Sequence, residues 1–301
     1  MIVTDIKWLR DPYVVVKDGV YYMYGTEWYC YKNTSGRLDG AWERIDLTMT
    51  FAHPEWVGQD HWAPEVHVYN GAYYMFTTYP NMANDGRRGC TILRADSPEG
   101  PFVEVTDGTV TPAEYACIDG TLYVDPDGQP WMVFVHEWEG KEDLVGTFEA
   151  AKLSDDLSHF ISEPVELFRA DEPVWKAPVR GGYVTDGCWM YTTAEGELLM
   201  LWASFDAHGY VETISRSSNG RLDGEWIHEE KPFYSKAISG TYDGGHGMLF
   251  TDLDGQMHLS FHSPNHFTAG RRETPVFLAV REENGTLVWD EPCPCEAHTQ
   301  E

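Results

Sequence analysis

The feature that most constrains this chain is a hairpin phrase that returns five times. An apolar strand, a turn containing glycine and a second apolar or aromatic strand occur as "DPYVVVKDGVYYMYG" at 11–25 and "PEVHVYNGAYYMFTTY" at 64–79. The same phrase follows as "DGTLYVDPDGQPWMVFVHEW" at 119–138, "DGCWMYTTAEGELLMLWASF" at 186–205 and "HGMLFTDLDGQMHLSFHS" at 246–263. Alternating apolar runs broken by Asp-Gly or Asn-Gly turns signal β-hairpins. Their turn glycines, Gly19, Gly71, Gly128, Gly196 and Gly255, are separated by 52, 57, 68 and 59 residues, room for about four short strands per repeat.

Periods of this size imply an all-β, five-bladed β-propeller of four-stranded antiparallel blades around a central axis. A second phrase supports the repeat: "SGRLDGAW" at 35–42, "ADSPEGPF" at 95–102 and "SNGRLDGEW" at 218–226 fall where outer strands belong. A two-sheet sandwich is the competing architecture, but five copies at near-even spacing favour blades. No amphipathic helical period competes, and no linker divides the chain, so residues 1–301 are expected to form one domain.

A formal net charge of -28 excludes nucleic acid as the expected partner, because a polyanion is bound through Lys and Arg. Aromatic residues make up 14% of the chain, including 12 Trp and 17 Tyr, which provides flat surfaces suited to sugars. No apolar run of signal-peptide or membrane-spanning length is present, so the expectation is a soluble, cytoplasmic protein without a membrane partner. Oligomeric state is left open. Cys30, Cys90, Cys117, Cys188, Cys293 and Cys295 form no metal-binding spacing, and reduced thiols are expected.

In a propeller the innermost strand of each blade starts near the axis, so its first residue can line a shared pocket. Aligned on their hairpins, the repeats put Asp11, Ala63, Asp119, Asp186 and His246 at equivalent positions. Three convergent carboxylates suit hydrolysis of a glycosidic bond, which needs one protonated acid and one ionised partner on the opposite face. A third carboxylate can raise the acid's pKa by like-charge repulsion.

These residues are also where the chain resembles glycoside hydrolase family 43, five-bladed propellers acting on arabinose- and xylose-containing glycans. "RDPYVV" is similar to the first-blade motif that carries the family's general base, which implies that role for Asp11. "HWAPEVHVYNGAYYMFTTY" resembles the second-blade motif and implies that Trp62 and Ala63 border the sugar. "CIDGTLYVDPDG" resembles the third-blade element, with Asp119 as pKa modulator. "GGHGMLF" implies an axial His246 that in many members helps hold a hydrated calcium or other ion, so the expectation is no required cofactor and a structural calcium at His246. "GRRETPVFL" resembles an arginine element that implies Arg272 in the pocket, with Arg271 beside it.

One departure matters. The family's acid is usually Glu in "EGP", whereas "VTDGCWMY" offers Asp186 and puts Cys188 in place of proline. The alternative acid by residue type is Glu172 in "ADEPVWKAP"; position in the repeat favours Asp186. The implied reaction is single-step inverting hydrolysis of a small oligosaccharide, of arabinofuranosidase or xylosidase type and exo-acting, with Asp11 as base and Asp186 as acid. Base and acid are then expected roughly 6.5–9.5 Å apart. Arg10 beside Asp11 favours its ionised form. Trp28, Trp62, Trp138 and Trp189 are candidate stacking surfaces, each weighed against a place in blade packing, and His136 and Glu137 are candidate polar contacts at the mouth. The competing class is a noncatalytic carbohydrate-binding propeller that has lost its acid; fructan-active propellers are disfavoured by the absence of their Asn-Asp-Pro and Glu-Cys-Pro motifs.

Overall fold

Each of the five hairpins forms the inner half of one sheet in the computed structural model, which describes residues 1–266 and 270–290. The innermost strands are Tyr13–Lys17, Trp62–Tyr69, Cys117–Val124, Asp186–Thr192 and Gly245–Thr251. Their hairpin partners are Val20–Gly25, Ala72–Asn81, Pro130–His136, Leu198–Asp206 and Met257–Ser263. Each sheet continues outward through a third antiparallel strand, and the five sheets pack side by side as a five-bladed β-propeller.

The second strands explain why blades form. Met23, Tyr24, Met75, Phe76, Met132, Phe134, Leu199, Met200, Leu201 and Leu259 are buried on successive positions, without the alternation of a half-exposed sheet. A strand that is apolar on both faces must be covered on both, and the neighbouring blades provide the cover. At the tips, Gly19, Gly71, Gly128, Gly196 and Gly255 all take left-handed φ between 78° and 88°, which a side chain rarely adopts.

The "GRLDG" phrases make the turn between third and outer strands of blades one and four. A Cβ on Gly40 would lie 1.9 Å from Ser35 Oγ, and one on Gly224 2.3 Å from Ser217 Oγ, so each turn closes only around glycine. The phrase then delivers Trp42 and Trp226 into the core.

Two blades depart from the four-stranded expectation. In blade two, Met49–Thr50 adds a fifth strand parallel to Phe102–Glu104. In blade five, Thr274–Glu283 pairs with both Thr286–Trp289 and the N-terminal strand Ile2–Val3, in the register Ile2 to Phe277 and Val3 to Val276. The first residues of the chain thereby close the ring against the last blade. Among the described residues no helix is long and apolar enough to cross a membrane. Cys30, Cys90, Cys117 and Cys188 are buried free thiols; Cys293 and Cys295 lie outside the described residues.

Between blades three and four, Trp202 is fully buried, in ring contact with Phe148, Phe168 and Trp175, with its Nε1 donating to Ser215 Oγ at 2.8 Å. Trp202→Ala removes this contact set and frees a buried hydroxyl. It is expected to cost about 3–5 kcal/mol of unfolding free energy, read as a lowered denaturation midpoint.

Candidate active site

The axial ends of the innermost strands share a backbone device. Asp11, Ala63, Asp119 and His246 have left-handed φ of 54°, 41°, 55° and 61°, uncommon for residues with a Cβ. In blades two, three and five the ladder register shifts at this point. A bulge of this kind bends the strand and re-aims the side chain, here toward the axis.

In blade four the left-handed residue is Gly187, at φ 38°, and the register shifts between Asp186 and Cys188. The alignment of Asp186 with Asp11, Asp119 and His246 is therefore off by one: Gly187 is their equivalent. A Cβ there would lie 2.5 Å from the His246 ring, so the position is glycine by close approach as well as by φ. Asp186 stands one residue earlier and still brings its carboxylate to the same centre.

That centre is the floor of a cavity of about 360 Å³ lined by Arg10, Asp11, Trp62, Asp119, Glu137, Trp138, Arg180, Asp186 and His246, among others. His246 Nδ1 lies 3.3 Å from Asp11 Oδ1, 3.5 Å from Asp186 Oδ1 and 4.0 Å from Asp119 Oδ2. Burial disfavours the imidazolium, but the three carboxylates outweigh it and hold His246 charged, its pKa raised well above the ordinary value.

Each carboxylate has a distinct setting. For Asp11, burial works against ionisation, yet His246 and Arg10 prevail and the pKa is lowered; Thr26 donates its hydroxyl to Oδ2. Asp119 and Asp186 are hydrogen-bonded to each other and hold one proton between them, because two carboxyls in contact do not both ionise. Burial and the Asp186 charge push Asp119 well up. Burial also opposes ionisation of Asp186, but hydrogen bonds from His246, Asp119 and Tyr210 lower its pKa. Tyr210 Oη donates to Asp186 Oδ2 at 2.6 Å, and the Gly187 N–H donates to Asp119 Oδ2 at 2.9 Å.

Since one imidazole nitrogen touches both Asp11 and Asp186, their Oδ1 atoms are no farther apart than the sum of those two contacts. That upper bound, about 6.8 Å, spans both the roughly 5–5.5 Å of a retaining pair and the lower edge of the roughly 6.5–9.5 Å of an inverting pair.

His262 lies nearby and carries no charge. Its Nδ1 accepts the Asp11 N–H at 3.3 Å and its Nε2 donates to Asn265 Oδ1 at 3.0 Å. Burial and the adjacent Arg10 press its pKa down to about 3.

The remaining sequence candidates divide. Trp62 and Trp138 line the cavity, but the Arg88 guanidinium sits 3.3 Å from the Trp62 ring centroid and covers one face. Ala63 is buried and does not line the cavity. Trp28 stacks with both Phe51 and His61, its Nε1 tied to Thr77 Oγ1 at 2.9 Å, so its ring is used in packing. Trp189 stacks on Tyr191 in the core.

Arg272 is exposed outside the cavity and Arg271 rests over Tyr242. Arg10 and Arg180 line the cavity instead, and Arg10 is held by Asn265 O at 2.9 Å and Glu273 at 3.6 Å. Glu172 is on the surface, accepting the Arg169 N–H at 2.9 Å with His228 3.2 Å away, so by place it does not join the three aspartates.

Thr26, Tyr210 and His262 were not singled out in the sequence, because each reaches the site from a second or third strand by long-range contact. Glu212 carried a legible signal: a carboxylate inside the apolar third strand of blade four. It is fully buried, and its Oε2 accepts the Gly247 N–H at 3.0 Å, which steadies the bulge after His246.

Asp119, Asp186 and His246 each present one donor atom within 4.8 Å of the others. Two carboxylates and an imidazole supply too few oxygens for calcium directly, so an ion there would be held largely through its own waters, as in the hydrated ion that the resemblance implies.

Residues 6–284 match Glycosyl hydrolases family 43. The chain is 24% identical over 216 residues to Probable arabinan endo-1,5-alpha-L-arabinosidase C of Aspergillus niger, covering 69% of this chain and 62% of that protein. It is 25% identical over 193 residues to Xylosidase/arabinosidase 43A of Humicola insolens, covering 55% and 57%. The aligned regions thus span less than two thirds of these curated relatives. Among solved structures, an endo-arabinase from Bacteroides thetaiotaomicron superposes with a TM-score of 0.78 at 33% identity, covering 95% of this chain and 99% of that one.

The two axial histidines should behave oppositely. In an NMR titration between about pH 5 and 8, His246 is expected to stay protonated at both ring nitrogens and His262 to stay neutral; titration of either ring in that window would contradict the geometry described.

Proposed function

The chain belongs to glycosyl hydrolases family 43, and on that premise we propose that it hydrolyses arabinose- or xylose-containing oligosaccharides in one step, with inversion at the anomeric carbon. The observation that carries the reading is the convergence of Asp11, Asp119 and Asp186 around His246 on one cavity floor.

In this reading Asp11, ionised beside His246 and Arg10, takes a proton from the water that attacks the anomeric carbon. Asp186 passes a proton to the departing oxygen, since it is the more exposed member of its pair, at 22% against 3% for the Asp119 side chain. Asp119, which holds the pair's proton because burial and the Asp186 charge disfavour its ionised form, hands that proton to Asp186 for the transfer, and Tyr210 fixes the orientation of Asp186. The shorter aspartate is brought forward by starting one residue ahead of the bulge. Trp138 offers a ring at the wall, and Arg10 a guanidinium for a sugar hydroxyl.

A cavity of about 360 Å³ lies near the small end of ligand pockets and suits one terminal sugar, so the action proposed is exo. The names of the Aspergillus and Bacteroides relatives include endo-acting enzymes, and product length from a linear oligosaccharide decides between the modes.

A second reading, a noncatalytic sugar-binding propeller, draws on one observation: His246 and Tyr210 both favour ionised Asp186, which weakens it as a proton donor. Binding of oligosaccharides without turnover of any p-nitrophenyl arabinofuranoside or xyloside would establish that reading instead.

For the hydrolase, Asp11→Asn is expected to lower kcat on these p-nitrophenyl glycosides by about 10²–10⁴-fold with sugar binding retained, and NMR of the first product should find the inverted anomer. The pH dependence of kcat/KM should be bell-shaped. Its acidic limb belongs to Asp11 and lies below the ordinary aspartate value of 3.8; its alkaline limb belongs to the Asp119–Asp186 pair and lies above it. Asp119→Asn removes the partner that retains the proton, so the alkaline limb should move to lower pH.

A further inference from the structure

A second depression, of about 460 Å³, adjoins the catalytic cavity, and Glu137 and Glu139 line both. Its lining includes Tyr115, His136, Arg87 and Lys141. We propose that this depression is a second sugar subsite, with Tyr115 as its platform, receiving the leaving-group side of the oligosaccharide; the assignment rests on the hydrolase reading above.

The platform is built rather than incidental. The Tyr115 and His136 rings lie parallel, with centroids 3.7 Å apart and planes at 18°. One buried carboxylate anchors both: Tyr115 Oη donates to Glu149 Oε2 at 2.6 Å, and His136 Nδ1 bonds Glu149 Oε1 at 2.8 Å. Glu149 lies on the third strand of blade three, so the blade itself sets the orientation of the ring. A flat ring held in one orientation lowers the ordering cost of stacking a sugar on it.

The position also fits the reaction. Glu137 stands on the wall between the two cavities, and after burial the charge of Asp186 is the chief influence on its carboxyl, raising its pKa to about 7. The depression opens off the catalytic cavity past this wall, which is where the leaving sugar is placed. A carboxyl near half-protonation can both donate to and accept from a sugar hydroxyl. Both signs of charge are present in the depression, with Asp85, Glu114, Arg87 and Lys141 around it, a setting for a neutral polyhydroxyl ligand rather than an ion.

The test uses the full chain and measures both binding and turnover. In the Asp11→Asn protein, calorimetry with the mono-, di- and trisaccharides of arabinose and of xylose should give at least a tenfold gain in affinity from mono- to disaccharide, and Tyr115→Ala added to that protein should abolish the gain. With Asp11 intact, Tyr115→Ala should lower kcat/KM on the trisaccharide at least tenfold relative to that on the p-nitrophenyl glycoside. Tyr115→Phe keeps the ring and should restore the ratio to within about threefold.

Because freeing Glu149 can destabilise the blade, Lys141→Ala serves as the second variant, with an expected threefold or greater fall in the same ratio. Affinity independent of chain length, or an unchanged ratio in both Tyr115→Ala and Lys141→Ala, overturns the subsite. Failure of the hydrolase reading has a different outcome: no glycoside is turned over by the unmodified protein, while chain-length-dependent binding that requires Tyr115 persists.

Discussion

The site depends on a charge balance that the interior of a propeller makes demanding. Three aspartates reach one cavity floor, where Asp11 and Asp119 are buried, and an unpaired carboxylate in such a place costs several kcal/mol. One proton shared by Asp119 and Asp186 leaves two negative charges, and His246 and Arg10 bring two positive ones. Removing His246 from this arrangement would leave the aspartates repelling one another. The imidazolium thus sets which carboxyl is ionised and which retains a proton, the division of roles that acid–base chemistry on a sugar requires.

That balance is positioned by backbone geometry. The left-handed residue at the axial end of each innermost strand bends the chain so that one side chain per blade is re-aimed at the axis. In blade four the same bend is made by Gly187, whose missing side chain is the space occupied by the His246 ring. Asp186 then enters from the preceding residue and meets Tyr210. A strict repeat would have put five side chains at one height and one radius; the blade-four offset lets an aspartate and a histidine occupy adjoining space.

The aromatic residues have two uses that composition cannot separate. Trp202, Trp42 and Trp226 fill the spaces within and between blades, while Trp138 and Tyr115 line the cavities. Trp62 lies between these uses, at the cavity wall yet covered on one face by Arg88. The rings at the cavities are held by local partners: Trp138 packs on Gly182, and Tyr115 is fixed by His136 and Glu149.

The repeat alone determined the number of blades, the hairpin turns and the choice of three aspartates with His246, because apolar runs and turn glycines are local properties of a chain. It misaligned Asp186 by one residue, since a bulge depends on which backbone groups pair across the strand rather than on counting to the turn. The family resemblance placed Arg272 in the pocket where Arg10 stands, and residue type offered Glu172, whose partners on the described surface are Arg169 and His228. Thr26, Tyr210, His262 and Glu149 were beyond the repeat's reach because their roles arise from contacts between strands, and some of these join opposite ends of the chain: the Asp11 N–H meets His262 Nδ1 across 251 residues. Protonation states belong to tertiary structure for the same reason. They follow from burial and the nearest charges, and only ring closure brings Asp11, Asp119, Asp186 and His246 within reach of one another.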